Sequence, residues 1–474
     1  MIGRKNEVEK LEELYNSNKA ELVAVYGRRR IGKTYLIQET FKNKFFFKHS
    51  GLSLDDNDDN KKLETQLENF YNSLKLYGAE NIEKPKTWFD AFFYLEKLII
   101  EKGDSLKKLV IFIDELPWLD TPNSNFIHAF EGFWNGFACA RDNILLIVCG
   151  SATSWIENNL INNHGGLYGR VTYEIKLSPF TLNETKEFLN AKGVHYSDYD
   201  IVQTYMIFGG IPYYLNYIES KYSISQNVDD LFFKNNAKLS IEFDRLFNSV
   251  FTFSNKAKEI IKYLSTNSLG YTRNEIVKFL NTSDGGRLTG YLNALEASDF
   301  IIKYNPFGYS KKEFYYKLVD PFCIFFIKFV LDKKDNESLW TQDSSSQKIS
   351  SWRGYAFENV CFNHIPQIKF ALGISGVSTV SSAYYNKEDG YQIDLLLSRK
   401  DNIINLCEIK FYSGEFVVDK DYYLKINRRR NLLYEKISKK YSIMNTFISV
   451  YGLKKNEYSS VFSNSITIDD LFRF

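Results

Sequence analysis

Gly27-Arg28-Arg29-Arg30-Ile31-Gly32-Lys33-Thr34 follows the apolar run Leu22-Val23-Ala24-Val25-Tyr26 and leads into the helical pattern Tyr35-Leu36-Ile37-Gln38-Glu39. A strand, a glycine-bounded loop and a helix in that order form a phosphate-binding P-loop. Backbone N–H groups cradle the phosphates, so glycines stand where the main chain must curl closely. The lysine reaches the terminal phosphates, and the threonine hydroxyl ligates Mg²⁺. Gly27, Arg28, Arg29, Arg30, Ile31, Gly32, Lys33 and Thr34 are therefore expected to bind ATP, with Mg²⁺ as its companion.

Outward from this loop, apolar runs alternate with helical segments over residues 1–180. The runs are Leu22 to Tyr26, Phe45 to Phe47, Leu109 to Ile113, Ile144 to Cys149 and Tyr173 to Leu177. That alternation predicts a parallel sheet covered by helices, an α/β P-loop fold. The third run ends in Asp114-Glu115, two carboxylates at the carboxyl end of a strand, where an open α/β sheet binds its ligand. Asp114 is expected to hold Mg²⁺ through water, and Glu115 to polarise the attacking water. Ser151, after the fourth run, reads either as a sensor of the terminal phosphate or as a helix cap. Arg170, just before the fifth, carries a permanent planar charge suited to transferring phosphate, in its own site or a neighbour's.

With 474 residues the chain exceeds one core and should be modular. Its 44% hydrophobic and 25% charged residues fit a globular protein. A net charge of +2 excludes a global basic signal, so any nucleic-acid surface must be local. One local cluster runs from Lys420 to Lys440, through Lys425, Arg428, Arg429, Arg430, Lys436 and Lys439, and reads as a solvated helix face or a phosphate-backbone contact. The five cysteines form no metal-ligand spacing and fit reduced thiols. Asp55 to Asp59 imitates a calcium loop but lacks its glycine and terminal glutamate. No stretch reaches membrane-spanning length and no secretory segment is read, which predicts a cytoplasmic protein with no membrane partner.

From Thr181 the pattern turns helical, with a break at Gly209-Gly210-Ile211-Pro212, and predicts a lid over 181–250. Residues 251–331 read as a winged helix. Its parts are the helix Ala257 to Leu264, a helix capped by Thr272-Arg273-Asn274-Glu275, a third from Gly286 to Asp299, and the hairpin Ile301 to Tyr304 and Phe314 to Leu318. The third helix carries Arg287 as its only basic residue, opposed by Glu296 and Asp299, which argues for a relay role over groove binding. The polar stretch 332–350 reads as a linker.

Together the P-loop, the opening Ile2-Gly3-Arg4-Lys5-Asn6-Glu7, Asp114-Glu115-Leu116-Pro117-Trp118 and Gly209-Gly210-Ile211-Pro212 resemble the archaeal-type ATPases of the AAA+/STAND group. The resemblance implies that Ile2, Gly3 and Arg4 border the adenine and ribose. It also implies that Pro212 closes over the base and that Arg170 takes the arginine-finger position. Met1 stands where that family usually has an aromatic residue.

In residues 351–474, a further α/β segment, Gly390 to Leu397 and Ile403 to Lys410 read as a hairpin. Glu408 and Lys410 share one strand face, and the hairpin brings Asp394 beside them. Two such carboxylates are suited to Mg²⁺, and the lysine to a water or a crowded phosphate. Glu358, on a helix beginning near Arg353, is placed to join the same metal. This set resembles the PD-(D/E)XK nucleases, in the restriction-endonuclease-like domain that follows the ATPase in this family; a hairpin with ordinary surface charges is the plainer alternative. Two functions follow as expectations. One is an ATPase controlling a metal-dependent nuclease that acts on DNA. The other is an ATP-dependent switch or scaffold that binds DNA or protein through a non-cleaving domain. A homo-oligomer is compatible with both.

Overall fold

Strand β1 (Glu21–Tyr26) is buried at every residue, as are β3 (Leu109–Asp114) and β4 (Ile144–Gly150). Continuous apolar runs become strands of this kind when helices cover both faces of a parallel sheet. With β2 (Phe45–Ser50) and β5 (Tyr173–Lys176) they form one all-parallel sheet in the order β2-β3-β4-β1-β5. Placing β4 between β1 and β3 is the feature that matters for function, because the ends of all three strands then meet at one crevice. One face of the sheet is packed by Phe70, Trp88, Phe92, Phe126, Phe130 and Phe133, all buried. Their edge-on contacts include Trp88 with Phe126 at 5.0 Å and Phe70 with Trp88 at 5.6 Å. Much of the chain's aromatic richness is spent in this core.

The computed structural model describes residues 1–474 except 55–57, 104–107, 252, 308–312, 332–335, 344–345, 387–390 and 438. Most of the imitation calcium loop and the turn at Gly308 therefore lie outside the described residues. The chain divides into two compact units, Met1–Ser178 and Pro179–Phe474. The lid, the middle module and the carboxyl-terminal segment, read from sequence as separate domains, thus share one unit.

In the second unit, the helix Leu182–Ala191 opens on a capping box between Thr181 and Glu184. The helix Asp198–Phe208 ends on Gly209 in the left-handed conformation, and Pro212 occupies the first turn of the short helix Pro212–Leu215. The middle module has helices Ser254–Leu264, Arg273–Leu280 and Gly286–Ala297. Its small antiparallel sheet runs β6 (Tyr271–Thr272), β8 (Tyr315–Leu318), β7 (Ile301–Tyr304). A second five-stranded sheet follows, of β9 (Thr379–Asn386), β10 (Tyr391–Arg399), β11 (Ile403–Lys410), β12 (Ser442–Ser449) and β13 (Asn464–Ile466). Its β9–β10 and β10–β11 pairings are antiparallel, and its β11–β12 and β12–β13 pairings are parallel.

The linker reading of 332–350 is corrected in part. Leu339–Asp343 is helical, and Trp340 is buried edge-on against Phe325 (5.1 Å), Phe329 (5.1 Å) and Trp352 (5.4 Å). The Asp229 carboxylate accepts from the Trp340 and Thr341 amides at 2.8 and 3.0 Å. One large ring anchors this stretch, and a single anchor leaves no periodicity to read. Of the five cysteines, all free, Cys139 is exposed and the other four are buried.

His364 ties the start of the helix Leu182–Ala191 to the end of the helix Gln347–Asn363. Its Nε2 accepts from the Leu182 amide at 3.0 Å, while Nδ1 lies 2.7 Å from the Val360 carbonyl. A carbonyl only accepts, so Nδ1 carries the proton and Nε2 has none. Burial pushes the pKa of this imidazole down to about 4. An unfolded histidine titrates near 6.5, so between the two values the unfolded chain holds the extra proton. The neutral imidazole's stabilisation is complete above about pH 6.5 and is lost as pH falls toward 4, by up to about 3 kcal/mol. His364→Gln should therefore flatten the acid limb of the second unit's denaturation profile by about that amount; equal slopes in both proteins would contradict it.

Candidate functional site

At the carboxyl end of β1 the chain turns through Gly27 at φ +133°, where a Cβ would stand 2.3 Å from the Leu177 carbonyl oxygen. Only glycine fits there. Gly32, at φ +88°, opens the helix Lys33–Thr40. Between them the loop curls around Lys33, which is 6% exposed and donates to the carbonyls of Gly27 (2.9 Å) and Arg28 (2.8 Å). Burial lowers the Lys33 pKa, and nearby Glu115 and Asp114 oppose that shift. The Thr34 hydroxyl donates to Asp114 Oδ2 at 2.8 Å, which joins the loop to the end of β3. This pair of oxygen donors has the chemistry Mg²⁺ takes, so the residues fit that ion beside a bound nucleotide.

Glu115 follows β3 in the left-handed conformation, φ +48°. The Ser151 hydroxyl lies 2.9 and 3.2 Å from its two carboxylate oxygens, and the Ser151 amide donates to Oε2 at 3.2 Å. Ser151 is reached because β4 lies between β1 and β3, with Gly150 level with Tyr26. The helix that follows, Thr153–Ile156, has its N-cap at Ala152, so Ser151 is not its cap; the Ser151 side chain instead meets the Glu115 carboxylate. Arg4 is 6% exposed and donates to the carbonyls of Ser178 (2.7 Å) and Ile31 (3.3 Å), pinning the opening segment to the loop. Next to it, Gly3 has φ +63° and Ile2 is half-buried. Ile31 and Arg28 are buried, Arg30 has φ +73°, and the Arg29 guanidinium lies 5.6 Å from the Trp118 ring centroid. Arg170 is exposed, and Pro212 belongs to the second unit.

The carboxyl-terminal constellation is gathered by strand register. Leu395 pairs with Cys407, which brings the neighbouring Asp394 within reach of the Glu408 charge. The β9–β10 register shifts between Ile393 and Leu396, a bulge of the kind that re-aims a side chain. Gln392 donates to Asp394 Oδ1 at 3.0 Å. Glu408 is held from three sides, by Lys410 Nζ at 3.0 Å, by Arg429 at 2.9 Å and by the Tyr422 hydroxyl. Burial alone would raise its pKa, but Lys410, Arg429 and Tyr422 outweigh it and hold the carboxyl below the usual range. Burial pushes Glu358 and Asp394 upward instead, reinforced by Asp394 on Glu358 and by Glu408 on Asp394.

Among the described residues no group of three or more His, Cys, Asp or Glu is arranged to hold a metal ion, and both oxygens of Glu408 are engaged by the chain's own donors. One expectation changes here. Within the basic run, Arg429 is not a backbone contact, because it turns inward to Glu408. The helix Lys420–Lys436 buries Ile426 and Leu433. Tyr422 and Arg429 share that face at helical spacing, a signal that was present in the sequence.

Lys317 of β8 carried no such signal. It is 3% exposed, with its ammonium 4.5 Å from the Phe362 ring centroid and 5.7 Å from that of Tyr355. Burial lowers its pKa, and the charges of Glu358 and Asp394 oppose that shift.

Residues 1–218 match the model of a family described as an ATPase domain predominantly from Archaea. Two curated proteins of Methanocaldococcus jannaschii are similar to this chain. An uncharacterized protein is 26% identical over 364 residues, 76% of each chain. An uncharacterized ATP-binding protein is 54% identical over 43 residues, 9% of this chain and 73% of its own. Among solved structures, a Walker-type ATPase of Pyrococcus abyssi aligns with TM-score 0.46 and 18% identity over 69% of this chain and 96% of that one. The Aeropyrum pernix ORC2 protein aligns with TM-score 0.42 and 13% identity over 72% and 95%. The match to that ATPase-domain model accords with the glycine-bounded loop at the end of β1 and the carboxylates at the end of β3, the features of a P-loop ATPase.

Proposed function

We propose that this chain is an ATP-hydrolysing switch of the AAA+/STAND kind whose nucleotide state governs a nuclease-like carboxyl-terminal domain acting on DNA. In the first unit, the loop amides and Lys33 hold the phosphates while Ile2, Gly3 and Arg4 border the base and ribose. Glu115 orients and polarises the water that attacks the terminal phosphorus, with ADP as leaving group. Mg²⁺, held by Thr34 and Asp114, neutralises the phosphate charge when bound. Ser151 acts as a positioning residue by fixing the Glu115 carboxylate. An exposed Arg170 suits a guanidinium offered to a neighbouring copy in a homo-oligomer.

The observation that carries the second half is the convergence of Glu358, Asp394, Glu408 and Lys410 on one electrostatic cluster from a helix and two antiparallel strands. The middle module is read as a winged helix in a relay role. Its third helix, Gly286–Ala297, carries Arg287 alone as a basic residue, whereas its strand β8 delivers Lys317 to the cluster. One observation favours the rival reading of a non-cleaving docking domain: Glu408 is fully engaged by Arg429, Lys410 and Tyr422.

Steady-state ATP hydrolysis should vanish in Lys33→Ala. In Ser151→Ala it should fall about tenfold in kcat while KM for ATP stays within about threefold, because a positioning contact is lost and no binding contact is. A changed KM with unchanged kcat would contradict that role. Plasmid and linear DNA, incubated with Mg²⁺ or Mn²⁺ and ATP, should be cut by the wild type and not by Lys410→Ala. Absence of cleavage on every nucleic-acid substrate would leave the docking reading. Equal cleavage by wild type and Lys33→Ala would remove the control by ATP.

A further inference from the structure

We propose that Lys317 is the resident counter-ion of the carboxylate cluster, a side chain of the middle module that opposes entry of a divalent cation beside Glu358 and Asp394. This rests on the nuclease-like reading of that cluster.

Position carries the inference. Tyr355, Glu358 and Phe362 lie at i, i+3 and i+7 on the helix Gln347–Asn363, which puts them along one face. The Lys317 ammonium lies over the Phe362 and Tyr355 rings, on the face that presents Glu358. It is not a surface lysine that strays there. β8 is paired to β7 with Lys317 opposite Ile302, and Tyr355 Oη donates to the Leu318 carbonyl at 3.4 Å. A lysine that is 3% exposed needs compensating charge, and the carboxylates acting on it are Glu358 and Asp394. Glu408 already has Lys410, Arg429 and Tyr422, so Glu358 and Asp394 are the two carboxylates a divalent ion would have to win. An ammonium held on that helix face, whose charge acts on both carboxylates, repels that ion in a medium that screens poorly.

The test is Mn²⁺ binding to the full chain without nucleotide, followed by loss of the free-ion paramagnetic resonance signal. An Asp114→Asn background removes the P-loop donor pair from the reading. Lys317→Met keeps the length and removes the charge, and should tighten Mn²⁺ binding at least tenfold. Lys317→Arg should stay within about threefold of the parent. Adding Asp394→Asn to Lys317→Met should abolish the gain, which localises it to the cluster. Equal or weaker binding in Lys317→Met overturns the proposal. If that variant does not fold, the parent and Lys317→Arg decide: micromolar, Asp394-dependent Mn²⁺ binding with Lys317 in place also overturns it, and its absence in both supports it. A chain that never cuts DNA but shows the gain keeps this inference and loses the nuclease. DNA cleavage with unaltered Mn²⁺ affinity does the reverse.

Discussion

Burial of β1, β3 and β4 on both faces is the constraint on which the nucleotide site depends. Strands enclosed this way have no freedom to slip, because a one-residue shift would carry their side chains to the opposite face. Their carboxyl ends are therefore fixed with respect to one another. Gly27, Asp114 and Ser151, each at or just past a strand end, inherit that precision. The contacts that define the site, Thr34 to Asp114 and Ser151 to Glu115, are reached across strand ends that the core holds in place.

Charge compensation plays the matching part in the second unit. The helix Gln347–Asn363, which carries Glu358, packs on β10 and β11, which carry Asp394 and Glu408, and carboxylates gathered in partly dry surroundings repel one another. The chain answers with cations from three different elements, Lys410 on β11, Arg429 on the helix Lys420–Lys436 and Lys317 on β8. Glu408, ringed by donors, keeps its charge easily; Glu358 and Asp394, more weakly answered, are the groups burial pushes toward protonation. The asymmetry separates one fully engaged carboxylate from two that are more weakly answered.

What the sequence disclosed follows from how local each piece of chemistry is. The P-loop was readable because phosphate binding needs its glycines, lysine and threonine in one contiguous curl. Asp114 and Glu115 were readable because a strand end places them. The capping boxes at Thr181 and Thr272 are four-residue devices, and Asp394 could be set beside Glu408 because a hairpin pairs residues close in sequence. Lys317 was not readable, since it meets Glu358 and Asp394 only through the fold and a strand lysine ordinarily points to water. Arg429 was hidden inside a charge run whose average looks solvated. Trp340 was lost in a polar stretch because one anchoring ring makes no pattern.

The bond from the Leu182 amide to His364 and the reach of Lys317 toward Glu358 have a common implication for how this chain can be divided. Both cross borders that sequence reading would choose as cutting points. A fragment begun at residue 351 would carry its acidic cluster without one of its cations and its central histidine without the amide it accepts from. The smallest piece expected to keep the cluster's environment is thus the whole of Pro179–Phe474, and parts of this unit borrowed singly into chimeras would not bring their chemistry with them.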